Sequence, residues 1–385
     1  MKILDENYYD LIINNAIAPI YANDDNITYI NERHALIHLP AADNICSLGT
    51  MPYHIFPSLF EATSPISLGA SGIISIQENP HLDLQGLGVL VGIIDTGIDY
   101  THPAFRNPDS TSRIISIWDQ TNQNGTPPER FTFGTEYQTE EINHALSSDN
   151  PHSIVPVSDP TGHGTSLASI IAGSPNDTVN FSGVAPKSEL VIVKLKEAKK
   201  NIKDIFCVPN DVTCYMESDI MLGVRYLYTV SQALRRPIVI CLALGSNQGG
   251  HDGNGALSSY LDYLSQLPWI GISISAGNEG VAGRHYFHTT MTAPFQNDFE
   301  LLVGDGDHEF SFEIWSSYSR LSVEIFAPNR ETTQQVFPSL FDCRRFQFIF
   351  HDCILWVNNM MFEQDTGDQL ILVRCLLYTS DAADD

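Results

Sequence analysis

Four almost continuously apolar runs, separated by stretches of helical periodicity, constrain the fold of this chain more than any other feature of its sequence. The apolar runs cover 89–94, 190–193, 238–242 and 270–274. Such runs are typical of strands that are covered on both faces. Between them, apolar residues recur at helical spacing over 164–172, 219–234 and 257–267. The alternation predicts an α/β fold with a doubly wound parallel sheet, whose chemistry is expected at the carboxyl ends of the strands.

The region before this sheet follows another pattern. Residues 1–75 predict a small α+β unit, with two short strands in 27–39, a helix over 52–62 and a further strand over 72–76. We therefore expect residues 1–75 to form a domain of their own, followed by the sheet domain over 76–294.

The region after the sheet alternates apolar and polar residues with period two. The alternation is clearest over 299–303, 310–315 and 321–325, with turn residues between these stretches. It predicts an antiparallel β-sandwich of the jelly-roll type over 295–374. The last residues, 375–385, look foreign to the domain before them and resemble translated sequencing-adapter read-through.

The charge and hydropathy of the chain exclude some classes of partner. Asp and Glu number 46 against 20 Lys and Arg, which gives a formal net charge of -26. Binding to nucleic acid requires basic patches, so we expect no nucleic-acid partner. No run approaches the roughly 18 apolar residues of a membrane span, and no secretory signal is visible at the N-terminus. We therefore expect neither a membrane partner nor export.

The cysteines indicate no metal site and no disulfide framework. There are seven of them, an odd number, in a chain without an export signal. This favours reduced thiols. Cys207 and Cys214 lie too far apart for a zinc knuckle and have no paired histidines. We expect no metal and no cofactor.

Three polar residues stand where the expected sheet places its chemistry. Asp95 follows the first apolar run, His163 lies between two glycines at the start of a helical stretch, and Asn278 follows the last run. Each of them alone is more often an ordinary turn or loop residue. Together, in the order Asp, His, Asn on three elements of one sheet, they form a specific pattern, in which the Asn amide can point at a developing oxyanion.

The segments around these residues resemble the signature segments of the subtilases, a family of serine endopeptidases. The similar segments are Asp95-Thr96-Gly97, His163-Gly164-Thr165, 183–186 and Ala276-Gly277-Asn278, and the resemblance covers about 85–285. The chain order also agrees with the Asp, His, Ser order of subtilisin. The resemblance implies that Asp95 holds the imidazolium, that His163 is general base and then general acid, and that Asn278 donates to the oxyanion.

The same resemblance implies a binding site for an extended protein or peptide substrate. One side of the site would be the strand-forming segment Ala243, Leu244 and Gly245. The opposite side would be Ser275, Ala276 and Gly277.

More narrowly, 99–107 and 117–120 resemble the spore-associated subtilases of clostridia-like bacteria. This resemblance implies that residues 1–75 are a proregion that serves as folding template and intramolecular inhibitor. It also implies a jelly-roll inserted between the oxyanion Asn and the nucleophile. Because no secretory signal is visible, we expect a cytoplasmic or spore-associated location. We expect cleavage of the proregion within 76–87.

One part of the subtilase pattern is missing. No Gly-Thr-Ser-x-Ala segment occurs downstream of Asn278; Ser166 belongs to the helix of His163, and Ser380 has no preceding glycine and no helix to follow. We therefore expect the nucleophilic Ser to be absent, the chain to be truncated inside its inserted domain, and the chain as written to be inactive.

Two other functions fit part of the sequence. An aspartic peptidase would use the two Asp-Thr-Gly segments at Asp95 and Asp365, but no apolar strand leads into the second, and the helices contradict an all-β protease. The stronger alternative is an inactive, subtilase-like pseudoprotease that regulates a partner protein. Intact Asp95 and His163 favour an active parent enzyme.

Overall fold

The structure, a computed structural model, describes residues 1–20, 26–41, 51–62, 73–77, 79, 82, 84–176, 178, 181–289, 296–304, 306–317, 320–350, 352–364 and 366–377. Along the chain its strands are β1 (Tyr8–Asn14), β2 (Ile27–Tyr29), β3 (His34–Pro40), β4 (Leu59–Ala62), β5 (Leu90–Asp95), β6 (Ile114–Asp119), β7 (Thr135–Gln138), β8 (Glu189–Lys194), β9 (Tyr215–Met216), β10 (Ile238–Leu242), β11 (Leu244–Gly245), β12 (Ile270–Ile274), β13 (Glu309–Ser316), β14 (Arg344–Phe348), β15 (Cys353–Met360) and β16 (Gln369–Leu377). Its α-helices are α1 (Ile73–Gln77), α2 (Thr139–Leu146), α3 (His163–Ala172), α4 (Lys200–Phe206), α5 (Glu217–Leu234) and α6 (Ala256–Ser265).

The chain divides into two compact units. The first unit comprises Met1–Ala41, His54–Asn201 and Thr213–Ala276. The second unit comprises Ala42–Tyr53, Ile202–Val212 and Gly277–Asp385.

A six-stranded sheet forms the centre of the first unit. Its strand order is β12-β10-β5-β8-β6-β7. Neighbouring strands are parallel except β7, which is antiparallel to β6. The expected α/β sheet is therefore confirmed, although it is mixed rather than wholly parallel and contains two strands, β6 and β7, that we did not expect.

Helices cover both faces of this sheet because its strands are apolar on both sides. Leu90 and Ile94 of β5 belong to a buried cluster that includes residues of α5 and α6. Val91 and Ile93 point to the opposite face and belong to a cluster that includes residues of α2 and α3. This arrangement follows from the alternation of side chains along a strand, and it leaves the carboxyl end of β5 between two covered faces.

Two smaller sheets complete the first unit. β1, β3 and β2 form an antiparallel sheet in which Tyr8 pairs with Pro40 and Asn14 with His34. A second sheet has the order β11-β4-β9, with β4 antiparallel to both neighbours. The expected helix over 52–62 is therefore wrong, because residues 59–62 pair with two distant segments as a strand.

The strand expected over 72–76 is also wrong where the structure describes it. Ile73–Gln77 is a short helix. The Gln77 side chain donates to the carbonyl oxygens of Gly183 and Val184 at 2.6 and 2.7 Å.

The second unit contains an antiparallel sheet with the strand order β13-β16-β15-β14. Its buried face includes Phe348, Leu355, Val357 and Val373. The stretch expected as a strand at 299–303 has no regular structure, and the one at 321–325 contains one isolated bridge, from Val323 to Val336. A jelly-roll stays a prediction. β16 runs on to Leu377, beyond the boundary that we expect at 374.

The thiol prediction is only partly right. Cys207, Cys214, Cys241, Cys353 and Cys375 are buried and are not disulfide-bonded. Cys343, in contrast, is disulfide-bonded.

Candidate active site

Asp95 and His163 meet at the carboxyl edge of the central sheet. Asp95 is the last residue of β5, and its side chain is fully buried. His163 is the first residue of α3, and its side chain keeps 16% exposure. The imidazole Nδ1 lies 2.7 Å from Asp95 Oδ1, which also accepts a hydrogen bond from the Thr96 amide at 2.7 Å. An ionised carboxylate only accepts, so Nδ1 carries the proton and the neutral ring has its lone pair on Nε2.

Two glycines permit this close approach of a loop and a helix. A Cβ on Gly164 would lie 2.2 Å from the carbonyl oxygen of Gly97. Gly97 has a φ of +140°, and a Cβ there would lie 2.4 Å from the carbonyl oxygen of Ser158. Side chains at these positions would collide with backbone, so the glycines beside the catalytic candidates are required by packing.

The first turn of α3 is capped by side chains from the loops around it. The amides of His163 and Gly164 donate to the hydroxyls of Thr161 and Thr96, at 3.3 and 3.1 Å. The amide of Thr165 donates to the carboxylate of Asp159 at 2.8 Å. These bonds satisfy three donors that a helix N-terminus leaves without an intrahelical partner.

Asp159 is a charged neighbour of the pair that our reading of the sequence missed. Burial opposes ionisation of its carboxyl, but hydrogen bonds from Thr96, Thr165 and Thr161 outweigh burial and hold the pKa of Asp159 below its ordinary value. A carboxylate beside a helix N-terminus is also favoured by the helix dipole. Its signal in the sequence is an Asp four residues before His163, to which our sequence analysis assigned no role.

The segment expected to bind substrate lies directly after β10. Ala243 and Leu244 are buried, and Leu244 and Gly245 form β11. Leu244 pairs with Ala62 and Gly245 with Glu61 of β4. This segment therefore pairs in the structure with an extended stretch of the chain's own N-terminal region.

The opposite side of the expected substrate site follows β12. The amide of Ser275 donates to the carbonyl oxygen of Leu242 at 3.0 Å, which extends the parallel pairing of β12 with β10 by one residue. Ala276 is exposed and ends the first unit.

Gly277 and Asn278 belong to the second unit. Gly277 has a φ of +77°, and Asn278 is exposed and precedes a 3-10 turn over Glu279–Val281. The structure therefore brings together Asp95 and His163, whereas the role of Asn278 stays a prediction.

Within the described ranges, no group of three or more His, Cys, Asp or Glu side chains is placed to hold a metal ion. No helix in the described part of the chain has the length and apolarity to cross a membrane.

Comparisons with known proteins agree on one family. The profile described as the subtilase family matches residues 86–337. Thermitase of Thermoactinomyces vulgaris is 23% identical over 245 residues, which are 63% of this chain and 64% of thermitase. The subtilisin-like protease SBT2.2 of Arabidopsis thaliana is 29% identical over 129 residues, which are 29% of this chain and 15% of that protein.

A solved structure supports the same conclusion. The CspB protease of Clostridium perfringens matches with a TM-score of 0.67 and 29% identity, over 80% of this chain and 60% of that one. The chain thus spans less than two thirds of the length of thermitase and of the CspB structure. Because the family profile matches well over half of the chain, and the fold and the Asp95–His163 pair are of the type that its motifs predict, the chain belongs to the subtilase family.

Proposed function

We propose that the protein is a serine-type endopeptidase in which Asp95 and His163 act with a nucleophilic serine that residues 1–385 do not contain. The observation that carries the proposal is the 2.7 Å contact between His163 Nδ1 and the buried carboxylate of Asp95. It directs the lone pair of the neutral imidazole to Nε2, the atom that accepts the proton of a serine hydroxyl in this chemistry.

The proposed reaction follows from these positions. His163 removes the serine proton as Oγ attacks the carbonyl carbon of the peptide bond, and Asp95 stabilises the imidazolium that results. His163 then donates that proton to the leaving amine. The side chain of Asn278 donates to the oxyanion of the tetrahedral intermediate. Water releases the acyl group in a second passage through the same steps.

We further propose that the substrate binds as an extended strand along Ala243, Leu244 and Gly245, with Ser275, Ala276 and Gly277 opposite. Support comes from β4, which already adds to β11 as an antiparallel strand. An added strand is bound through main-chain hydrogen bonds, which all sequences can form. A site of this kind therefore binds peptides and proteins of many sequences.

The same strand supports a role for the N-terminal region as intramolecular inhibitor. β4 lies between β11 and β9 and pairs with both. The amide of Leu59 donates to Gln248 Oε1 at 2.7 Å, and that of Ser58 donates to Glu217 Oε2 at 3.1 Å. A substrate that pairs with β11 has to displace β4. We therefore propose that cleavage falls soon after Ala62, in 63–72, and not in 76–87.

Serine labelling tests the proposed activity. The source DNA is resequenced past codon 375, and the longer chain is treated with a fluorophosphonate and compared with its His163→Ala variant and with the 385-residue chain. We expect one labelled serine in the longer chain, a much slower reaction in His163→Ala, and no labelling of the 385-residue chain. A longer frame without a reactive serine would contradict the proposal and indicate a pseudoprotease, and labelling of the 385-residue chain would contradict the missing nucleophile.

The N-terminus of the mature protein tests the inhibitor role. Mass spectrometry of the purified longer chain should show a new N-terminus within 63–72 that His163→Ala does not form. A new terminus within 76–87, or equal cleavage of the variant, would contradict the proposal.

A further inference from the structure

The carboxylate of Asp159 binds the segment of Asp95 and the segment of His163 at once. Its Oδ1 accepts a hydrogen bond from the hydroxyl of Thr96 at 2.7 Å. Its Oδ2 accepts from the hydroxyl and the amide of Thr165, at 2.7 and 2.8 Å. Thr96 follows Asp95 in the chain, and Thr165 lies two residues after His163.

Each of the two hydroxyls also bonds to the opposite segment. Thr96 Oγ1, on the loop after β5, accepts from the amide of Gly164 in α3 at 3.1 Å. Thr165 Oγ1, in α3, accepts from the amide of Asp99 on that loop at 2.9 Å. A hydroxyl has one proton, and both threonines donate theirs to Asp159, so each hydroxyl oxygen is left to accept the backbone N–H. The carboxylate therefore fixes the direction of both crossing bonds.

We infer that Asp159 is a positioning residue, which sets the separation of Asp95 and His163 by holding Thr96 and Thr165 on one carboxylate. The inference rests on the proposed function, since it takes Asp95 and His163 as the catalytic pair. The contacts of Asp159 are to the two threonines beside the pair and to Thr161, at 3.3 Å from Oδ1. It therefore acts through its neighbours on an imidazole that must stay aligned to within a few tenths of an ångström.

The chemistry of the site requires a carboxylate rather than its amide. Both oxygens of Asp159 accept, and Oδ2 accepts two hydrogen bonds from Thr165. An Asn side chain has one acceptor and one donor group, so it satisfies one threonine and opposes the other. Asp159→Asn keeps the size of the side chain and removes the charge and half of the acceptors. The variant thus loosens one of the two segments without creating a cavity.

The test uses the imidazole of His163 as its own reporter, in the 385-residue chain labelled with ¹⁵N-histidine. The Nδ1 proton that is hydrogen-bonded to Asp95 is assigned by its loss in His163→Gln, and its exchange with water is measured by NMR. We expect exchange in Asp159→Asn to be faster on the order of tenfold or more, the factor expected from weakening one hydrogen bond to a charged group. Thr96→Val and Thr165→Val, which each remove one bridging hydroxyl, should each accelerate it as well.

Asp119→Asn is the matched control. Asp119 is a buried carboxylate that also accepts from a threonine, with the amide and hydroxyl of Thr121 at 2.8 and 2.6 Å, but it belongs to β6. We expect this variant to lose stability without faster exchange at His163. An unchanged exchange rate in a folded Asp159→Asn overturns the inference. If Asp159→Asn does not fold, unchanged rates in both threonine variants overturn it.

The readout separates the inference from the proposed function. The exchange measurement needs no serine nucleophile, so it can succeed when fluorophosphonate labelling of the longer chain fails. Conversely, labelling with an unchanged rate in Asp159→Asn would leave the peptidase proposal standing and remove the positioning role.

Discussion

Replacing Lys199 by Met should destabilise the first unit more than any ordinary surface substitution. The Lys199 side chain is 2% exposed, and its ammonium lies 2.8 Å from Asp10 Oδ2, whose side chain is fully buried. It also donates to the carbonyl oxygens of Lys2 and Tyr8, at 3.0 and 3.1 Å. An ammonium has three donors, and the two carbonyl oxygens use two of them.

The magnitude follows from what the substitution leaves behind. Removing one partner of a buried ion pair costs about 3–5 kcal/mol, because the other charge stays buried and uncompensated. The remaining carboxylate keeps its hydrogen bond with His38 Nδ1 at 2.5 Å, which places the expected loss near the lower end of that range. Burial lowers the pKa of Lys199, and the neighbouring Asp10 opposes this shift. Burial therefore disfavours the ammonium instead of stabilising it. The stability that Lys199→Met loses thus comes mainly from the carboxylate of Asp10, which is left without its partner.

Urea unfolding followed by circular dichroism measures this effect. Lys199→Met should lower the free energy of unfolding by about 3 kcal/mol, whereas its exposed neighbour Lys200→Met should stay within about 0.5 kcal/mol of the original chain. The double variant Asp10→Asn with Lys199→Met should recover a large part of the loss, because no charge is then buried alone. Equal free energies of unfolding for Lys199→Met and Lys200→Met would refute this expectation. So would a double variant whose loss of stability equals the sum of the losses in Asp10→Asn and Lys199→Met.

Three further substitutions test other parts of the structure. Gly164→Ala places a Cβ at 2.2 Å from the carbonyl oxygen of Gly97, so it should lower the free energy of unfolding, measured in urea, by about 1–3 kcal/mol. In the control Gly255→Ala the new Cβ meets nothing within 4 Å, so the loss should be less than about 1 kcal/mol. Asp159→Asn should be less stable than the original chain at neutral pH, and this difference should shrink in urea titrations as the pH falls below about 4. The reason is that the pKa of Asp159 is lower in the folded chain than in the unfolded chain. Its carboxylate therefore stabilises the fold at pH values above the unfolded pKa, and this stabilisation is lost as the pH falls and the folded carboxyl is protonated. Gln248→Ala removes the acceptor of the Leu59 amide, so hydrogen exchange at that amide should be several-fold faster. This factor corresponds to the loss of one hydrogen bond of about 1 kcal/mol. An unchanged rate would show that β4 is held by its other contacts.

The sheet could be predicted from the sequence because its elements are long and periodic. β5, β8, β10 and β12 lie within a residue of the apolar runs, and α5 begins two residues before the helical stretch that we identified. Each of these elements buries apolar side chains on faces that local periodicity reveals. β6 was missed because the polar residues Ser116 and Asp119 interrupt its apolar pattern, and both are buried in the structure.

β4 could not be predicted because distant partners determine its conformation. Ile55, Leu59 and Phe60 fit helical spacing, and a short segment of this kind is ambiguous between helix and strand. Pairing with β9 and β11, more than 150 residues further along the chain, decides between the two. The same limit applies to Asp159, whose bond to Thr96 spans 63 residues and has no local pattern.

β9 and β11 are both short strands. Each has two residues, and in the part of the chain that the structure describes each is paired only through β4. Two-residue segments have too few bonds to form a sheet with one another across the width of a missing strand. They are therefore strands because an extended segment lies between them, and without it they present unpaired N–H and C=O groups, which favour the addition of another extended chain. The local sequence of β9 and β11 need only keep the backbone extended, so the binding site that we propose for a substrate strand leaves little periodic signal. Asp95 and His163, whose proposed roles require particular atoms, leave motifs.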